Sequence, residues 1–256
     1  MMLLAIETAT SRLSVALIKG SDVLARADQE AAGKHAKLLI PTIDQLLKAS
    51  GLTLAELGGL AVSIGPGSFT GLRVGLATVM GFRMVTGLPL AAVPTLEGMA
   101  WNFTPTRPKR AKTRSFPVDA PLSENGVLCP ILKSRTGEVY WACYQWLADG
   151  TLKRIGDERV GSLAQMTQEV CGPIIVFGEG WRANREELMR LFRKRRLRAQ
   201  EAPPDGMNAS AVSIALAGQA MLARGEIAGH SLSPRYVQRA EAELVMERRA
   251  VGVGAR

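Results

Sequence analysis

The strand pattern of this chain occurs twice, and that recurrence constrains its fold more than any other feature. Leu3 to Glu7 reads as an apolar strand, Thr8-Ala9-Thr10-Ser11 as a hydroxyl-rich turn, Leu13 to Ile18 as an alternating strand, and Lys19-Gly20-Ser21-Asp22 as a turn into a third strand ending near Ala27. The pattern returns in the second half: Val127 to Leu132 is a strand, Arg135-Thr136-Gly137 turns, Val139 to Tyr144 is a strand, and Asp149-Gly150 leads into another. Strand and helix alternations come after each meander. The first set holds a helix from His35 to Ala49, which Pro41 should kink or shift, a strand Leu60 to Ile64 with a helix to about Val85, and a strand Leu90 to Val93 with a Thr95-capped helix to about Trp101. The second holds helices near Leu163 to Val170, Arg182 to Arg196 and Ala209 to Ala223, and a strand Ile174 to Phe177. A duplicated α/β fold of two lobes is therefore expected, each lobe a mixed sheet flanked by helices. The lobes should cover residues 1–103 and 127–256, a Pro-rich basic loop should occupy 104–126, and the helix at about 209–224 is expected to reach back to the first lobe.

Between a strand and a helix lies Ile64-Gly65-Pro66-Gly67-Ser68-Phe69-Thr70-Gly71-Leu72-Arg73-Val74-Gly75, which has the look of a phosphate loop. A Walker loop needs Gly-Lys followed by Ser or Thr where this chain has Thr70-Gly71-Leu72, and a dinucleotide fingerprint needs its third glycine one place earlier and an acid at the next strand end. A nucleophile elbow fails because Pro66 takes the place of its first glycine. Ser68 or Thr70 can instead cap the following helix, on which Gly71, Gly75 and Thr78 share a face. A glycine inside a helix costs roughly 1 kcal/mol relative to alanine, so two on one face point to a close approach, by the chain's own sheet or by another subunit. The helix start near Ser68 also suits an anion.

With 256 residues and 47% apolar composition, the chain can bury two cores of ordinary size. The opening apolar run meets Glu7 after six residues, far short of the roughly 20 a membrane span requires, and Cys129, Cys143 and Cys171 form no C-x-x-C pair, so a reducing cytoplasm is expected. The net charge of +9 is concentrated in two acid-free clusters, Arg107, Lys109, Arg110, Lys112 and Arg114, and Arg193, Lys194, Arg195, Arg196 and Arg198; removing these ten charges from +9 leaves −1. Such segregation suits a phosphate-rich partner, although a solvated loop and helix end would show it too.

Catalytic equipment is sparse. His35 and His230 are the only histidines and neither has a histidine or cysteine at metal-ligand spacing, so no metal site is expected. A nucleophile-histidine device would have to use one of them, and each reads better as a cap or surface residue. Glu7, at a strand end before Thr8-Ala9-Thr10, is where a kinase-like site can begin; Glu7, Thr8, Thr10 and Ser68 are the weak candidates for nucleotide contact, and Glu138 is a second strand-end acid.

Taken in order, Leu4-Ala5-Ile6-Glu7-Thr8-Ala9-Thr10, His35-Ala36-Lys37-Leu38-Leu39-Ile40-Pro41, Gly65 to Gly75, Pro94-Thr95-Leu96, Gly137-Glu138-Val139-Tyr140 and Pro234-Arg235-Tyr236-Val237 resemble the motifs of the TsaB (YeaZ) family across nearly the whole chain. The resemblance implies an actin-like or Hsp70-like ATPase (ASKHA) fold and a noncatalytic dimerisation subunit for N6-threonylcarbamoylation of adenosine 37 in tRNAs reading ANN codons. It implies a TsaD-like catalytic partner, a TsaE-like ATPase, tRNA reached through the complex, a homodimer when alone, and no membrane. No intrinsic cofactor or metal is implied, with room for an adenine nucleotide at the complex interface. Carried onto this sequence, the partner interface falls on Gly65, Gly67, Ser68, Phe69, Thr70, Gly71, Arg73, Val74, Gly75 and Thr78, and the two basic clusters become candidate tRNA contacts. Lys133 stands where many relatives carry an acid, and Glu7 where an aspartate is commoner. The fold class allows two other readings: a small-molecule kinase, which would bind ATP alone, and a glycoprotease-like metallopeptidase, which would require metal.

Overall fold

Each half of the chain builds one five-stranded sheet in the computed structural model, which describes residues 1–105, 126–135, 137–229 and 231–235. In the first, the antiparallel meander β1 (Met2–Glu7), β2 (Arg12–Lys19) and β3 (Asp22–Glu30) is extended by β4 (Gly59–Ser63) and β5 (Leu90–Val93), parallel to β1, giving the order β3-β2-β1-β4-β5. The second runs β8-β7-β6-β9-β10, with β6 (Val127–Lys133), β7 (Glu138–Trp146) and β8 (Leu152–Ser162) as the meander and β9 (Ile174–Phe177) and β10 (Ala199–Glu201) parallel to β6. The two orders superpose strand for strand, so the expected duplicated two-lobed fold is the one adopted.

Why the first sheet takes helices on both faces is written in its alternation. Leu4, Ile6, Leu60 and Val62 point one way, into a core shared with α1 (His35–Ala49) and α2 (Phe69–Thr86). Their neighbours Leu3, Ala5, Ala61 and Ala91 point the other way, against α7 (Ala211–Ala223). Small residues on that face let α7 sit close: a Cβ on Gly218 would stand 2.6 Å from the Ala61 methyl. Central strands buried on both sides are what parallel pairing with helical crossovers produces. The short α3 (Thr95–Ala100) spans the halves, sending Leu96, Met99 and Ala100 into the second core beside Phe177 and Trp181. The chain's return is tied down at three points: Ala228 N–H donates to the Leu90 carbonyl (2.8 Å), the Arg83 guanidinium donates to the Ala228 and Gly229 carbonyls (2.8 Å each), and Arg235 N–H donates to the Ile64 carbonyl (2.6 Å). The Arg235 guanidinium then pairs with Glu158 of β8 (3.2 Å), joining the first lobe's loop to the second sheet.

Three local expectations change, and one strand is added. Pro41 does not shift the start of α1; the helix runs continuously over His35–Ala49 with Pro41 on the solvent side, where water can satisfy the carbonyl it strands. Thr95 does not cap α3, since its hydroxyl accepts from Gly65 N–H (3.1 Å) instead. The helix read from Arg182 to Arg196 is two, α5 (Glu179–Ala183) and α6 (Arg185–Lys194), because the Asn184 side-chain amide donates back to the Gly180 carbonyl (2.9 Å) while its backbone leaves the helical region. Strand β10 was not foreseen: Ala-Gln-Glu carries no strand signal, and the edge of a sheet is its only reason to be extended. The cluster Arg107 to Arg114, most of the Pro-rich loop, His230 and the Tyr236-Val237 half of the last motif lie outside the described residues.

Candidate functional site

The glycine turn closes on the chain's own first turn. After β4, Gly65 (φ +114) and Gly67 (φ +154) take backbone conformations closed to other residues. A Cβ on Gly65 would stand 2.5 Å from the Arg235 carbonyl, and one on Gly67 would strike the Ala9 carbonyl. One turn into α2, a Cβ on Gly71 would strike the Thr8 carbonyl; a further turn on, one on Gly75 would strike the Thr8 hydroxyl. Four amides of the loop and helix start are bonded within the chain: Gly65 N–H to Thr95 Oγ1, Ser68 N–H to the Ala9 carbonyl (2.6 Å), Gly71 N–H to Ser68 Oγ (3.2 Å), and Leu72 N–H to the Ser68 carbonyl (2.9 Å).

This geometry divides the residues named for the interface. Gly65, Gly71 and Gly75 are buried and face the Thr8-Ala9 turn or the returning chain, Gly67 and Val74 are half-buried, and the Thr78 hydroxyl bonds the Val74 carbonyl (2.9 Å). What the glycines admit is the chain's own backbone. Only Ser68, Phe69, Thr70 and Arg73 of the predicted set face outward, with the Arg73 guanidinium 3.8 Å above the Phe69 ring. The outward face continues along residues that sequence reasoning missed: Ala77, Gly81, Met84 (85% exposed) and Val85 (88%). On α1, packed beside α2, Ile40 is half exposed. A signal was present, since α2 is apolar nearly all round while a helix lying on one sheet needs only a narrow apolar stripe.

The weak nucleotide candidates separate. Thr10 and Ser68 line a cleft of about 500 Å³ between the sheets, together with Ser11, Lys133, Arg135 and Glu179. Glu7 and Thr8 are sealed beneath it with no exposed surface. Glu7 Oε1 accepts from Ala9 N–H (2.5 Å), while Glu7 Oε2, Thr8 Oγ1 and Ser63 Oγ are buried without a hydrogen-bond partner. Burial pushes the Glu7 carboxyl up to about 7; the neighbouring Ser63 hydroxyl and the Ala9 N–H oppose the rise, and Glu179 adds to it. A carboxyl so placed cannot reach a ligand in the cleft. His35 begins α1 buried, its Nε2 3.1 Å from the Arg12 carbonyl, and Glu138 pairs with Arg135 (2.9 Å). Among the described residues no three His, Cys, Asp or Glu side chains converge as a metal site would need, and no helix is long and apolar enough to cross a membrane.

The basic cluster at the end of α6 is exposed, with Arg193, Lys194, Arg195, Arg196 and Arg198 all facing solvent. Nearby acids are engaged elsewhere, Glu187 by Arg190 (2.6 Å) and Glu201 by Arg185 (2.7 Å).

Relatives agree with this geometry. The family model "TsaD: tRNA N6-adenosine threonylcarbamoyltransferase" matches residues 27–176. The tRNA threonylcarbamoyladenosine biosynthesis protein TsaB of Escherichia coli K12 is 33% identical over 72% of this chain and 73% of its own length. The Bacillus subtilis protein of the same name is 28% identical over 70% and 71%. Among solved structures, YeaZ from Pseudomonas aeruginosa matches with a TM-score of 0.68 and 25% identity, covering 92% of this chain and 99% of that one. With its strand order, its glycine turn and these relatives in agreement, the chain belongs to the TsaB (YeaZ) family.

Proposed function

We propose that this chain is a noncatalytic subunit in the biosynthesis of threonylcarbamoyladenosine in tRNA, holding a TsaD-type catalytic subunit through the outer face of α2 and the adjoining part of α1. One observation carries the docking surface: Phe69, Ala77, Gly81, Met84 and Val85 form an exposed stripe along a helix already anchored on its other side. From Phe69 to Val85 the stripe is about 24 Å long at 1.5 Å per residue. Small residues at Ala77 and Gly81 let a second helix approach, while burying Met84 and Val85 contributes roughly 1.5–3 kcal/mol each.

The noncatalytic part of the reading rests on the sealed Glu7 and on four amides of the glycine turn and helix start, those of Gly65, Ser68, Gly71 and Leu72, that are bonded within the chain. It gives this chain no cofactor of its own; an adenine nucleotide would lie between subunits. Reconstitution tests it. Mixed with a TsaD-type protein, the chain should form a stable complex that modifies a tRNA transcript, and omitting it should abolish modification. Tight ATP binding by the isolated chain, with a phosphorylated small-molecule product, would favour the kinase reading instead. Alone, the same stripe should pair with a second copy, seen as a concentration-dependent dimer in sedimentation.

A further inference from the structure

We propose that the C-terminal corner of α6, Arg193 to Arg198, is a docking surface for the phosphate backbone of tRNA. The proposal rests on the tRNA-modification reading above and adds to it a surface on the second lobe.

A solvated helix end is the plain alternative, and it accounts for only part of the cluster. Cations at a helix C-terminus are favoured by the helix dipole, which covers Arg193, Lys194 and the capping Arg195; Arg196 and Arg198 lie past the helix end. None of the five has an ion-pair partner among the described residues. Glu186, the remaining acid of α6, is about 10 Å back along the helix from Arg193 and further from the rest, beyond the roughly 8 Å over which charges interact in physiological salt.

The backbone supplies an independent observation. Arg196 N–H donates to the Arg193 carbonyl (3.0 Å) and Leu197 N–H to the Phe192 carbonyl (2.9 Å), the paired bonds of a Schellman helix end. The left-handed residue of that motif is ordinarily glycine. Here it is Arg196 at φ +55, the one non-glycine residue with positive φ among the described residues. The chain tolerates an unfavourable conformation and keeps a guanidinium at the apex of the turn. Leu197, half-buried in the second core, pins the turn from beneath so that its neighbours project outward.

Chemistry narrows the partner. Four of the five cations are arginines, whose planar forks match phosphate oxygens. The one apolar side chain of the segment, Leu197, packs against the core, and the segment has no aromatic to stack a base, so contact is electrostatic and blind to sequence.

The test is fluorescence anisotropy with an unmodified tRNA transcript over a potassium chloride series, on the full chain alone and mixed with a TsaD-type subunit. The variant Arg193→Gln/Arg195→Gln/Arg198→Gln should weaken binding at least tenfold near 0.1 M salt and reduce the slope of log K against log salt by about 2 to 3, as expected for three lost phosphate contacts. Arg196→Gly should weaken binding severalfold while raising Tm, because glycine fits the left-handed position; a merely structural arginine would not separate the two readouts. Unchanged affinity and slope in the triple variant would overturn the proposal, and so would displacement of tRNA by polyglutamate at equal charge, which would give the surface to an acidic protein. Failure of the wild-type complex to assemble would count against the proposed function and leave the surface to be judged on the chain alone.

Discussion

Two turns in this molecule solve one packing problem and then part company. After β4, Gly67 and Gly71 let the start of α2 press onto the carbonyls of Ala9 and Thr8, just past the end of β1. After β9, Gly178 (φ +106) and Gly180 let α5 press onto the carbonyls of Ile131 and Leu132, at the end of β6. The device is duplicated along with the sheets, but the helices beyond it differ. In the first lobe α2 continues for 18 residues and exposes an apolar stripe, whereas in the second the helix breaks at Asn184 and resumes as the polar α6, ending in five exposed cations. Strand ends diverge too, β1 finishing in the sealed Glu7 and β6 in the exposed Lys133. The two lobes share the plan of their interiors and differ in their outer surfaces.

The largest way to break the comparison is at the shared device. Gly75→Leu should cost roughly 4 kcal/mol in denaturant unfolding of the isolated chain, since its side chain meets the Thr8 hydroxyl, and Gly178→Ala roughly 3 kcal/mol in the other lobe. A folded Gly75→Leu chain that merely lost its partner would return the glycines to the interface. Next comes Glu7. Its folded pKa of about 7 lies above the ordinary glutamate value of 4.5, so the neutral form is favoured by folding: that contribution is complete below pH 4.5 and is lost as pH rises through 7, about 3 kcal/mol in all. Burial also raises Glu97 and Glu158, so the informative quantity is a difference: wild type should lose about 3 kcal/mol more than Glu7→Gln between pH 4.5 and 7.5. Parallel pH profiles would show that Glu7 is not held neutral.

Smaller effects probe the surfaces. Met84→Glu/Val85→Glu should leave unfolding within about 0.5 kcal/mol of wild type and weaken binding of a TsaD-type subunit about 100-fold, read by titration calorimetry. Ser68→Ala should cost about 1 kcal/mol, because Ser68 Oγ caps α2, while α5 has no side-chain cap to lose.

Much of the interior was legible in the sequence. Alternating runs such as Leu13 to Ile18, the turn glycines and the capping Ser68 state their roles locally, and the recurrence of the meander gave the two lobes. Features decided by tertiary partners were not. Nothing local says that Gly71 faces Thr8 rather than a second subunit, that Thr95 bonds Gly65 N–H rather than its own helix, or that Ala199–Glu201 is extended by pairing with β9. The site suffered most for the same reason: a glycine signals close approach without naming what approaches, and Met84 and Val85 look like core until the sheet is seen to lie on the other side of α2.

Helix α2 lays one face on its own sheet, and the proposed function gives the exposed face to a partner. Threonylcarbamoyladenosine formed in a tRNA transcript by a TsaD-type subunit, with its remaining partners supplied and this chain added as wild type or as Met84→Glu/Val85→Glu, tests that division most directly. The expected result is full product with wild type and background product with the folded variant; wild-type product from the variant would contradict it.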